Sequence, residues 1–167
     1  MRSRRSALST VSLLAASTLF LGLQACSTMM AKPQSVVDVM SSNPELSTVT
    51  DLLRKSGLEP VLSAVGPFTV FAPSNDAFKA VPAKTMQALA ANPAALKDVL
   101  TFHVVAGKLD AASITNSSVA SVQGAKLALA KAGGFVTVED ALVIKADQSA
   151  ANGVVHVIDR VLTPPKK

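Results

Sequence analysis

The sequence predicts an α+β fold, and two observations carry that reading. Helix-starting punctuation gathers in the N-terminal half of residues 35–163, whereas short β-prone runs separated by turn residues fill the C-terminal half. The same span holds no low-complexity run, no block of like charge and no solenoid-type repeat, so it reads as one compact domain. At 167 residues, with 49% hydrophobic and 16% charged side chains, the chain has the size of one globular unit with a short appendage.

The appendage comes first. Arg2, Arg4 and Arg5 precede an uncharged stretch from Ser6 to Ala25, whose apolar centre is Leu13, Leu14, Ala15 and Ala16 followed by Leu19, Phe20 and Leu21. Positive, then apolar, then small residues is the order of a secretory signal peptide, expected here over residues 1–25. Six of the uncharged residues are Ser or Thr and no positive stop-transfer cluster follows, which argues against a permanent transmembrane span. Leu23, Gln24, Ala25 and Cys26 resemble the bacterial lipobox, in which the cysteine receives a diacylglyceryl thioether and becomes the mature terminus. Gln24 departs from the smaller residue usual at its place. The resemblance implies that Cys26 is a lipid anchor, and the several acyl chains of such lipoproteins hold effectively permanently. Ser27, where Asp would signal retention, implies sorting toward an outer membrane, facing periplasm or cell surface. Residues 26–34 are then a tether; from Ser27 to Gln34 it extends about 28 Å at most, which keeps the domain close to its membrane.

Charge and composition exclude several functions. The net charge of +5 comes from 16 basic and 11 acidic residues, and without the three leader arginines the balance is 13 to 11, or +2. With no Trp, no Tyr and 6 Phe, the chain lacks the stacking platforms of single-stranded nucleic-acid binders, and no nucleic-acid partner is expected. A single cysteine excludes an intramolecular disulfide framework and a cysteine zinc cluster.

Within the domain, Asn43, Pro44 and Glu45 supply an N-cap, a proline at the first helical position and a first-turn acid. Leu46, Val49 and Leu53 then share a face before Arg54, Lys55 and Gly57 close the helix. Asn92 and Pro93 repeat the start signal, and Leu96, Val99, Leu100 and His103 follow at helical spacing, placing His103 on the buried stripe. Between them Phe68, Thr69, Val70 and Phe71 form a short strand that turns at Pro73 into a capped helix beginning near Ser74 to Asp76. β-prone runs follow at 117–122, 126–131, 135–138 and 141–145, divided by Gly124, Gly133, Gly134, Glu139 and Asp140. Asn152 and Gly153 suit a tight turn with positive φ, launching a β-branched run from Val154 to Leu162.

Two segments are specific enough to name a family. Residues 69–78, Thr-Val-Phe-Ala-Pro-Ser-Asn-Asp-Ala-Phe, resemble the first signature of fasciclin (FAS1) domains, and residues 152–164, from Asn152 through His156 and Asp159 to Pro164, resemble the second. The stretch from Leu100 to Leu109 is similar to the intervening segment named for its Tyr-His pair. The resemblance covers nearly all of residues 35–163, leaving 164–167 as a tail. It implies a wedge-shaped β-sandwich of about seven strands with several packed helices, and an extracytoplasmic role in interaction. Phe102 stands where the family has tyrosine, so that hydroxyl is missing. Asp147 and Gln148 stand where animal relatives carry an Asp-Ile pair used in integrin recognition, so integrin binding does not carry over, although this stretch stays a possible binding loop.

Asn75, Asp76, His103, His156 and Asp159 contain the elements of acid-base chemistry, but no nucleophile elbow, phosphate loop or paired-histidine metal motif accompanies them. We therefore expect no catalytic residues, no metal and no cofactor. Structural duty explains each one. Asn75 and Asp76 can cap and charge a helix start, and His156 inside an apolar strand can bond backbone across a sheet or cap the corner near Ser74. The leading functional expectation is a membrane-anchored, non-enzymatic module for cell adhesion or attachment to matrix, glycan or a surface protein. The alternative is a carrier of a small apolar ligand such as a lipid or pigment, with Met29, Met30, Met40 and Met86 lining an adaptable groove.

Overall fold

The computed structural model describes residues 34–165. The expected signal peptide, Cys26 and most of the tether lie outside the described residues. The α+β expectation of about seven strands with packed helices holds. Helices α1 (Val36–Ser42), α2 (Ser47–Lys55) and α3 (Glu59–Leu62) lead into strand β1 (Phe68–Pro73). Helices α4 (Asn75–Lys79), α5 (Ala83–Ala91) and α6 (Pro93–Phe102) follow, and then β2 (Val104–Ala106), β3 (Ser117–Ala120), β4 (Lys126–Ala132), β5 (Phe135–Val138), β6 (Ala141–Ala150) and β7 (Gly153–Ile158).

The strands form one seven-stranded sheet in the order β2-β1-β7-β6-β5-β4-β3. Its two edges approach each other: Val105 bridges Ser121, and Val122 N donates to Val104 O at 2.7 Å. The expected two β layers are therefore one ladder curled until its ends meet. At its centre β1 and β7 run parallel, from Phe68 beside Gly153 to Pro73 beside Ile158. Parallel strands are typically covered on both faces, and every residue of β7 is buried. Val70, Ala72, Val155 and Val157 face the helices, packing with Met40, Leu46 and Leu100. Phe71 and Ile158 face the interior of the curl, with Phe102, Ile114, Leu127 and Val138.

The helix expected from Asn43 divides in two. Asn43 Oδ1 accepts from Glu45 N and caps only a 3-10 turn over Pro44–Leu46, after which α2 begins at Ser47. Gly57 ends it with a φ of 70°, the left-handed conformation expected there. Phe102 is buried at 2% exposure in the interior of the curl. The absent tyrosine hydroxyl would have needed a partner inside an apolar core, which gives the departure from the family a physical reason.

Candidate functional site

Most polar residues of both signature segments bond to backbone, with Asp76 and Arg160 exposed. Residues 107–116, between β2 and β3, have no regular structure, so their amides and carbonyls need other partners. Thr69 Oγ1 donates to Gly107 O and accepts from Leu109 N, at 2.7 and 2.9 Å. His156 Nε2 donates to Leu109 O at 2.7 Å, and its Nδ1 accepts from Asp147 N at 3.2 Å. These roles are forced, because a carbonyl only accepts and an amide only donates. The ring is fully buried and stacks on Phe71 at 5.5 Å between centroids. Of the alternatives expected for His156, bonding to backbone across the sheet is the observed one.

His103 plays the same part for the C-terminal segment. Its Nδ1 donates to Val99 O at 2.8 Å, and its Nε2 accepts from Leu162 N at 3.0 Å. The accepting nitrogen must be unprotonated to make the second bond. Burial lowers its pKa from 6.5 to about 4, opposed in part by the hydrogen bond to the Val99 carbonyl.

Asn75 does not cap its own helix. Ser74 does, its Oγ accepting from Ala77 N. Asn75 Oδ1 instead accepts from Thr48 N at 3.1 Å and its Nδ2 donates to Pro44 O at 2.9 Å, so it caps α2 from across the fold. Asp76, in the first turn of α4, pairs with Lys79 at 2.8 Å on the surface. Asp159 Oδ1 accepts from Leu142 N at 2.7 Å, extending the β6–β7 ladder.

Two expectations on this stretch are corrected. Gly153 is a strand residue without positive φ; a Cβ there would collide with the Phe68 carbonyl of the neighbouring parallel strand. Close approach, rather than a turn, is what requires glycine. Asp147 and Gln148 belong to β6, where the register shifts between Lys145, paired with Val157, and Gln148, paired with Val155, and not to a loop. Asp147 has a φ of 55° and its carboxylate accepts from Ala111 N at 2.7 Å, so this exposed acid holds the irregular segment in place. Gln148 pairs in register with Val155 and is half-buried.

Asn152 organises one end of the sheet. Its Oδ1 accepts from Val36 N at 2.8 Å, its Nδ2 donates to Leu62 O at 2.7 Å and Ala64 O at 2.8 Å, and its carbonyl accepts from Phe68 N at 2.9 Å. The surrounding hollow, about 520 Å³, is open and has Lys108 as the one charged residue among the 11 that line it. A second open hollow of about 350 Å³ lies where β1 finishes, lined by 8 residues of which Glu45, Asp76, Lys79 and Lys145 are charged. Lys145 Nζ meets Glu45 Oε2 at 2.6 Å across it. Sequence reasoning missed this hollow because it assembles residues from α4, β6 and the turn before α2, and its charges have ordinary solvated-surface spacing in the chain.

Among the described residues, the methionines do not form a groove. Met40 is fully buried in the core between helices and sheet, Met86 lines a closed apolar cavity of about 10 Å³ beneath α5, and Met29 and Met30 lie outside the described residues. Among the described residues, no cluster of three or more His, Cys, Asp or Glu could hold a metal ion, and no helix is long and apolar enough to cross a membrane.

The profile of the Fasciclin domain family matches residues 44–164. The chain is 46% identical over 133 residues to Protein sll1483 of Synechocystis sp., covering 78% of this chain and 74% of that protein. It is 36% identical over 135 residues to the Cell surface glycolipoprotein MPB83 of Mycobacterium bovis, covering 78% of this chain and 60% of that protein. It also superposes on a solved FAS1 domain pair from the insect cell adhesion molecule Fasciclin I, with a TM-score of 0.58 at 23% identity, covering 72% of this chain and 46% of that one. Relatives thus include a cell-surface protein, and the fold occurs in a cell adhesion molecule. With its signature residues accounted for one by one and the family profile spanning the sheet and most of its helices, the chain belongs to the fasciclin domain family.

Proposed function

We propose that this protein is an exported, lipid-anchored and non-enzymatic interaction module that attaches the cell envelope to matrix, glycan or a partner protein. The observation that carries the reading is the separation of the two hollows. The chain enters the described domain at Gln34, whose carbonyl accepts from Ala151 N at 2.7 Å beside the uncharged hollow. The charged hollow opens at the other end of β1, about 20 Å away for a six-residue strand. Asp76, Lys79, Glu45 and Lys145 thus lie at the end of β1 opposite the chain's entry, where a polar or charged partner can reach them. The MPB83 relative's description as a cell surface glycolipoprotein supports export and anchoring, and the residue after Cys26 supports an outer-membrane address.

The geometry favours surface recognition over carriage of an apolar ligand. The enclosed cavity beneath α5 has room for about one water molecule, far below the few hundred Å³ of a small-molecule site, and the uncharged hollow of about 520 Å³ is open to solvent and would not enclose an apolar ligand. Asn75, His103, His156 and Asp159, which could have served chemistry, are bound to backbone, and Asp76 is paired with Lys79, which supports a non-enzymatic role.

The test joins anchor and surface. Cys26→Ser should release the protein from the membrane fraction and abolish acyl labelling, and unchanged fractionation and labelling would refute the anchor. Reversing the exposed pair, Asp76→Lys with Lys79→Asp, should weaken cell attachment at an unchanged urea midpoint. Unaltered attachment would remove the charged hollow from the function. Pigment or lipid extracted stoichiometrically from protein purified from its host would favour the carrier reading.

A further inference from the structure

The end at which the chain enters the domain has a feature that packing does not explain. Val65 is 97% exposed and Val61 50% exposed, on adjoining parts of α3 and the loop that follows it. The loop is not loose. Asn152 holds the carbonyls of Leu62 and Ala64, and Gly107 N donates to Pro67 O at 2.9 Å. Gly66 lies so close to the Asn152 carbonyl that a Cβ would collide with it. The valine is thus presented to solvent on a fixed backbone.

We propose that this end, with Val65 at its tip, rests on the lipid leaflet and places the valine among the headgroups. Three observations select a lipid surface as the occupant. The chain outside the described residues departs from this end, since Ser35 lines the hollow together with Val65. Eight residues separate Cys26 from Ser35, which bounds the distance from leaflet to hollow at about 32 Å. The lining is also nearly free of charge: its one cation, Lys108, is paired with Asp110 at 3.3 Å, whereas half the lining of the far hollow is charged. An uncharged surface with fixed apolar tips suits the boundary between headgroups and acyl chains. The proposal rests on the lipid-anchor reading and adds an orientation: the domain sits on its anchor instead of tumbling at the end of its tether.

The experiment uses the full chain purified from host membranes and reconstituted into vesicles of phosphatidylethanolamine and phosphatidylglycerol. Val65→Cys and Ile144→Cys are labelled separately with an environment-sensitive dye, lipidation of Cys26 leaving the introduced thiol as the reactive one. The expected result is a blue-shifted label at position 65 that is shielded from aqueous iodide and quenched by headgroup nitroxides, with position 144 open to iodide. Equal iodide access at both positions would overturn the proposal, as would shielding at position 65 that persists without vesicles, the mark of a protein partner or second copy. Failure of the anchor is read separately, by dye on Cys26 and by protein that does not float with vesicles. In that case a position-65 label shielded on adding vesicles still supports the face, and one left open overturns it.

Discussion

At the beginning of the central parallel pair, where Phe68 lies beside Gly153, backbone packs on backbone: Gly66 against the Asn152 carbonyl, Gly153 against that of Phe68. At its finish, where Pro73 lies beside Ile158, the surface is made of side chains, with Asp76, Lys79, Glu45 and Lys145 around an open hollow. The first family signature follows β1 into the rim of this hollow through Ser74, Asn75 and Asp76, and the second begins at the backbone-packed end with Asn152 and Gly153. The contrast teaches that close backbone packing and buried polar residues specify how the strands meet at one end, while at the other exposed side chains form a surface that a partner can reach. Substitutions at the first end should be felt as stability and at the second as binding.

The largest effect is expected at Gly153. A methyl group there meets the Phe68 carbonyl, which cannot swing away as a side chain would, so the β1–β7 pair must separate locally. Gly153→Ala should cost about 4 kcal/mol or more in urea unfolding. A loss under about 1 kcal/mol would show that the strands at this end yield easily, breaking the comparison.

His156→Ala comes next, at about 3 kcal/mol. It opens a void beside Phe71 and leaves Leu109 O and Asp147 N without partners. Hydrogen exchange should rise across residues 107–116, whose backbone this ring and Thr69 satisfy. A folded His156→Ala domain of wild-type stability that lost attachment would instead move the histidine into the function.

His103 ties the far half to pH. Its folded pKa of about 4 lies below the ordinary 6.5, so the unfolded chain takes up the proton first. The histidine's contribution is complete above about pH 6.5 and is lost as pH falls toward 4, amounting to about 3 kcal/mol. Stability measured between pH 7 and 4 should fall in wild type, and the His103→Gln variant should lack that component of the slope. Equal slopes would mean that protonation does not compete with the Leu162 hydrogen bond.

Much of this fold was legible in the chain. Helices with caps and apolar spacing, such as α6, and strands bounded by glycine, such as β4 and β5, stand where the pattern puts them. The elements that escaped lack such signals. Helix α1 is rich in β-branched valine and is marked only by its capping box of Ser35 and Asp38. Helix α5 buries no residue fully and turns only Met86 and Leu89 inward, too short an apolar stripe to read, and β2 is three residues long and continues directly from α6. At the site, residue types were legible but their partners were not. Asn75 reads as a local cap because local capping is common, yet the amide it serves is Thr48, 27 residues earlier. Asp147 reads as a surface loop because a bulge with positive φ leaves no mark beyond a turn-prone residue.

The smallest stability effect is expected at the far hollow, and it sharpens the comparison most. Lys145 and Glu45 meet at 2.6 Å, but their side chains are 50% and 47% exposed, and ion pairs in contact with water contribute about 0–1 kcal/mol. Lys145→Ala should therefore shift the urea midpoint by no more than surface substitutions do, within about 0.5 kcal/mol. It removes a cation from the face opposite the chain's entry, however, leaving Glu45 and Asp76 without it and making the hollow more acidic. If attachment occurs here, binding to host matrix or glycan should change by a factor well beyond what that small destabilisation can produce, and added salt should lessen the difference between variant and wild type. A Lys145→Ala protein with unaltered stability and unaltered attachment would show that this end, too, is only structure, and would direct the search for the partner surface to the exposed faces of β3 to β5.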